Sequence, residues 1–220
     1  PFKEVFLHYG MSKFPIYALT NWGEKDPIVE FANQLRQSGD KENWKLSKKL
    51  EPKMRIFAPV IVRGEEDKGV RLWEFGKEIY MQLLGIADDE DYGDFTNVNE
   101  GRDFTLETVK GEVGGRQGLK SSIRIKPKTS PLSTDASEVK LWLNEQPDIL
   151  EVQSTYKMSF GKLKEVLQTW LSDTPEDSLN TKSPFANDGP NTTTSGFPSS
   201  GLKTSNSEKF DNLFNEEEQD

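Results

Sequence analysis

MRIFAPVIVRGEEDKGVRLWEFGKEIYMQLL, residues 54–84, carries the pattern on which the fold turns. Two β-rich runs, Arg55–Arg63 and Val70–Phe75, flank a polar stretch, Gly64–Gly69, with glycine at both ends. Such runs around a glycine-containing polar loop read as a β-hairpin. Side chains alternate across a strand. Ile56, Ala58, Val60 and Val62 then share one face of the first strand, and Arg55, Phe57 and Arg63 the other. In the second strand Val70 and Leu72 share a face, and Arg71, Trp73 and Phe75 the opposite one. The spacing predicts two strands, each with an aliphatic face toward a core and a basic-aromatic face outward.

Downstream, Ile79, Leu83 and Ile86 at helical spacing predict a helix over Lys77–Ile86, followed by an acidic loop, Asp88–Asp94. Asp103–Lys110 and Lys120–Lys126 read as a second strand pair, with Ile123 and Ile125 on one side and Lys120, Ser122, Arg124 and Lys126 on the other. Between them, Gly111–Gly118 has four glycines and Arg116, which predicts a mobile loop. Helices are expected over Ala136–Glu145 and from the cap Ser159 to Leu171.

Upstream, KENWKLSKKL (residues 41–50) sets Trp44 among Lys45, Lys48 and Lys49, and with Lys53 it extends the basic-aromatic surface. Residues 5–9 and 16–19 read as short strands. Tyr9, Lys13, Phe14, Tyr17 and Trp22 are candidates for a second aromatic wall. Asp26-Pro27 is an N-cap followed by proline at the first helical position, and Gly39 is the expected stop.

The whole chain of 220 residues carries a net charge of −9 and a mean hydropathy of −0.73. The charge is uneven. Ser172–Asp220 holds ten acidic and three basic residues, a net of −7. Lys41–Lys77 carries +4 and Lys110–Lys128 carries +5. From Ser172 the composition shifts to Ser, Thr, Asn, Gly and Pro, which predicts a disordered acidic tail ending in FDNLFNEEEQD. There are no cysteines, which excludes disulfides, thiolate metal sites and cysteine catalysis. The opening at Pro1, without methionine and directly before Val5-Phe6-Leu7, reads as a fragment lacking its natural N-terminus.

Single-stranded nucleic acid offers regularly spaced phosphates and exposed base faces, so its binder needs cations beside flat aromatics. Arg55, Phe57 and Arg63 with Arg71, Trp73 and Phe75 supply both groups. The bland alternative, with the aromatics in a core and the lysines on a solvated face, stays open for Phe57 and Phe75. His8 is the only histidine, and the acidic loop lacks the glutamate and spacing of a calcium loop. GGRQGLKSS misses a phosphate-binding loop because Leu119 separates Gly118 from Lys120. No set of catalytic acids, bases or nucleophiles emerges, so an enzyme is not expected.

The 54–84 segment, with KENWKLSKKL before it, resembles the central region of the gene 32 single-stranded DNA-binding proteins of T-even-type phages, in a diverged cyanophage-like form. PFKEVFLHYG resembles the family strand that carries a zinc-ligating histidine. The resemblance covers residues 1–171 loosely and Lys41–Leu84 best. It implies a mainly β chain with helical additions: a five-stranded Greek-key OB-fold barrel, here incomplete. It places Trp44 at a cleft tyrosine, Lys48 and Lys49 at a basic pair, and Trp73, before Phe75-Gly76-Lys77, at a further aromatic cleft position. Phe14 and Trp22 fall near family aromatics, and Arg55 stands where the family has one. An aromatic pair late in the family domain has no match here; Arg116 and Lys120 would grip phosphate there instead.

Leu19 or Thr20, Asp26 and Val29 stand where the family has zinc-binding cysteines, so His8 alone remains and no zinc is expected. The family's basic N-terminal arm, which supports cooperative binding, is absent from the chain. The implied division is a zinc-less subdomain over 1–40, an OB core over 41–130, helices over 131–171 and the tail over 172–220. The implied function is sequence-tolerant single-stranded DNA binding and helix destabilisation. It would serve phage replication, recombination and repair, in the cytoplasm of an infected bacterium. The tail around Phe210, Leu213 and Phe214 would recruit phage replication and recombination proteins, and copies would self-associate along DNA. The rivals are an adaptor acting through its acidic tail and an RNA-binding OB module.

Overall fold

The computed structural model describes residues 2–113, 116–173 and 205–215. In chain order its elements begin with β1 (Lys3–His8), β2 (Ile16–Tyr17), a 3-10 turn (Leu19–Trp22), α1 (Pro27–Gln37) and α2 (Lys41–Leu50). Next come β3 (Lys53–Val60), a 3-10 turn (Glu66–Lys68), β4 (Arg71–Phe75), α3 (Lys77–Ala87), β5 (Phe104–Val113) and β6 (Arg116–Ile125). Helices α4 (Ala136–Asn144), α5 (Ile149–Ser154), α6 (Phe160–Asp173) and α7 (Asn206–Asn215) follow. Among the described residues helix outweighs strand, so they are mixed rather than mainly β.

The residues fall into two compact units, each built from separated segments: Pro1–Leu7 with Met54–Tyr156, and His8–Lys53 with Lys157–Asp220.

In the first unit the strands lie in the order β1-β3-β4, and β5 and β6 form a separate two-stranded ribbon. The expected hairpin is present, with antiparallel partners Ile56↔Phe75, Ala58↔Trp73 and Val60↔Arg71. Directly opposed residues share a face. The aromatic side of β4 therefore lies on the aliphatic side of β3, which corrects the expected outward basic-aromatic face. Ile56, Ala58 and Phe75 form a buried cluster with Ile79, Leu83 and Phe95, and Trp73 and Phe104 pack against it. Phe57 is only 8% exposed, so the middle of β3 is covered on both sides.

β3 leaves the ladder at Val60, earlier than expected, and Arg63 is held elsewhere. Its Nε and Nη2 donate to Asp103 at 3.0–3.2 Å, and its Nη1 and Nη2 donate to the carbonyls of Leu132 and Pro131 at 2.6 and 2.9 Å. The ribbon is longer than the sequence suggested. Gly111 pairs with Gly118 and Val113 with Arg116, so the strands extend into the predicted mobile loop. Its tip lies outside the described residues. Gln82 of α3 accepts from Ile123 N at 3.0 Å and ties the ribbon to that helix.

The second unit is helical. Asp26 caps α1, its Oδ1 accepting from Ile28 N at 2.9 Å and Val29 N at 3.2 Å. α1 buries Ile28, Phe31, Ala32 and Leu35. α2 was missed by the sequence reading. Asp40 caps it, and it buries Asn43, Leu46, Ser47 and Leu50, so two of its four inward positions are polar and the apolar period is faint. α6 contributes Leu163, Leu167 and Leu171 to the same core, capped as expected by Ser159. α7 corrects the predicted disordered tail: Phe210 and Phe214 are 1% and 2% exposed and belong to this core. The rest of that tail, 174–204 and 216–220, lies outside the described residues.

Candidate nucleic-acid interface

The aromatic and basic candidates divide between the units. In the second unit, the buried stripe of α2 leaves Trp44 on the outer side, 50% exposed. Lys48 follows one turn later, with Nζ 5.5 Å from the Trp44 ring centroid. Such a pair keeps a cation beside a free aromatic face and is held by only about 0.5–1 kcal/mol when exposed. Lys48 also donates to Glu51 at 3.1 Å. Lys45 and Lys49 lie on the same helix. Burial, and then the charge of Lys45, lower the pKa of Lys49. An anion beside these lysines would relieve that repulsion.

A second exposed pair is Phe14, 70% exposed, with Lys13 Nζ 5.4 Å from its centroid. Tyr9 is exposed nearby in sequence. Tyr17 and Trp22 meet edge to face at 6.4 Å, and Lys157 Nζ lies 5.3 Å from the Trp22 ring while it donates to Glu24 at 2.5 Å. Lys157 was missed: it is distant in sequence, and no local pattern links it to Trp22. Lys53 is exposed at the start of β3.

In the first unit the candidates are largely engaged with their own chain. Phe75 is 4% exposed and Phe57 8%, so both rings are covered by their own chain. Trp73 is half-buried against Phe75 and Phe104, with centroid distances of 4.3 and 6.1 Å. Arg55 Nε donates to Glu74 at 2.8 Å, Arg71 pairs with Glu65, and Arg124 with Glu107. Arg63 is the clamp described above. These arginines must give up carboxylates before they can take phosphates. Lys77, Lys120 and Lys126 are exposed. Lys120 and Arg124 lie on one face of β6 with Ser122 between, as the alternation predicted; Arg116 is on the same strand, in register with Val113.

The family model described as gp32 DNA binding protein like matches residues 6–170. The chain belongs to this family. No curated protein matches it. All of the candidate residues, Tyr9 to Lys126, fall inside the gp32-like span, and α7 falls outside it.

In this gp32-like chain His8 is held inside the fold. His8 Nδ1 lies 3.2 Å from the Leu50 carbonyl and Nε2 3.2 Å from Asp26 Oδ2, and both residues are buried. Asp26 also accepts from Leu19 N at 2.8 Å and caps α1. Burial raises the Asp26 pKa, but the hydrogen bond and charge of His8 and the backbone N–H groups outweigh it and leave it lowered. The donor set is one imidazole and one carboxylate, both already committed. This pair ties His8, the first 3-10 turn, α1 and the end of α2 together. Among the described residues no group of three or more His, Cys, Asp or Glu is placed to hold a metal.

Proposed function

We propose that the chain binds single-stranded DNA with little sequence preference, as a non-enzymatic protein of phage replication, recombination and repair in an infected bacterium. The carrying observation is Trp44, half-exposed on α2 with Lys48 over its ring, inside the span matched by a DNA-binding family. Bases stack on Trp44 and Phe14, with Tyr9 and the Tyr17–Trp22 pair beside them, at about 1–3 kcal/mol per base. Lys13, Lys45, Lys48 and Lys49 neutralise phosphates. The ribbon lysines and arginines add a further cationic strip. Stacking tolerates every base and so destabilises duplex by capturing the open strands.

The strands of the first unit and its ribbon serve as an OB-like scaffold, completed toward a five-stranded barrel. The His8–Asp26 pair does the structural work without zinc. Partner recruitment through Phe210 and Phe214 requires that α7 first leave its core, because both rings are buried. The burial of Phe57 and Phe75 favours the adaptor reading for the first unit alone.

Tryptophan quenching by oligo-dT, titrated against salt, tests the reading. Binding that falls steeply with salt supports it. Absence of binding at low salt sinks it. Equal affinity for a matched RNA oligomer moves the function to single strands in general.

A further inference from the structure

Helix α7 is an amphipathic ten-residue segment seated in a groove of the second unit. Phe210 packs against Phe31 of α1 with centroids 5.9 Å apart, and Phe214 against Phe160 of α6 at 6.1 Å. Lys209 Nζ donates to Asn43 Oδ1 of α2 at 2.9 Å, and Lys164 Nζ lies 5.0 Å from the Phe214 ring. A helix this short is marginal in water by itself, so it depends on the groove. The groove depends equally on a helix, since the removal of two phenylalanines would open the Phe31 and Leu163 side of the core.

Thirty-one positions, 174–204, separate α6 from Ser205. Their covalent reach is at most about 100 Å, several helix diameters. That length permits α7 to enter the groove of an adjacent copy, with the same contacts it makes in its own. The choice between the two grooves then depends on effective concentration rather than on contact energy. We propose that the groove lined by Phe31, Asn43, Phe160, Leu163 and Lys164 is an interface between copies of this chain, filled by the α7 of a neighbour when copies are crowded. The inference rests on the DNA reading only for what crowds them: a single strand that aligns many copies keeps a neighbour's groove permanently within reach.

The chain has no cysteine, so an introduced one is unique. Asn43→Cys and Lys209→Cys chains are mixed and treated with a short bis-maleimide, dilute, concentrated, and on long poly-dT. The double variant, with both cysteines in one chain, reports seating within a chain. The proposal expects internal linkage in the dilute double variant. It expects linked dimers in the mixture when concentrated or on poly-dT, and their loss when Phe214→Ala is added to the Lys209→Cys chain. It is overturned by linked dimers that survive Phe214→Ala, by no dimers in either crowded condition, or by no internal linkage in the double variant. The concentrated arm holds no DNA, so its result stands whether or not the oligo-dT titration finds binding.

Discussion

Trp73 and Phe75 lie with ring centroids 4.3 Å apart on β4, opposite Ala58 and Ile56 of β3. The register thus turns an aromatic pair that alternation alone would assign to a DNA-facing surface into the roof of a hydrophobic core. Trp73→Ala should therefore cost stability first, about 3 kcal/mol by analogy with large-to-small core substitutions. Urea denaturation checks this. An unchanged midpoint with weakened oligo-dT binding would return Trp73 to the binding surface.

Arg63 should act as a clamp rather than as a DNA contact. It joins the end of β3 to Asp103 and to the carbonyls of Pro131 and Leu132. Lysine keeps the charge but not the planar fork. Arg63→Lys should lower stability by about 1 kcal/mol while the salt slope of DNA binding stays the same. A reduced slope at unchanged stability would make Arg63 a phosphate ligand instead.

Asp26 should make the second unit sensitive to acid. Its folded pKa lies below the usual value of 3.8. Its contribution is therefore present above that value and is lost as pH falls through the lower, folded one. Asp26→Asn should destabilise the protein near neutral pH and flatten its stability profile in that acid range. Denaturant midpoints measured across acid pH decide the matter, and profiles of equal slope for both proteins would contradict it.

Phe210→Ala should destabilise the helical unit by about 3 kcal/mol, although it lies in a segment whose composition reads as tail. Hydrogen exchange in α1 and α6 reports this directly. Unchanged protection in both helices would show that α7 adds nothing to that core.

The legibility of these features followed how local each cause was. Asp26-Pro27 and Ser159 announce their helices because a cap and the residues that it serves lie within one turn. The hairpin was legible, but the faces that meet across it were not, because register couples residues that lie well apart in sequence, such as Ile56 with Phe75 and Val60 with Arg71. α2 was hidden by Asn43 and Ser47 on its buried stripe, and α7 by a polar, acidic setting that masks two phenylalanines at i and i+4. Of the candidate interface, Trp44 with Lys48 was visible as sequence neighbours. The carboxylates that engage Arg55, Arg71 and Arg124 were not, since only folding brings Glu74, Glu65 and Glu107 to them.

The central claim is that a base stacks on Trp44 while lysines beside it hold phosphate. Its most direct test is the affinity of Trp44→Ala for dye-labelled oligo-dT, by anisotropy, across a range of salt. The account predicts unchanged folding, a loss of about 1–3 kcal/mol in binding and a preserved salt slope. Affinity equal to that of the unaltered chain at every salt concentration would contradict it.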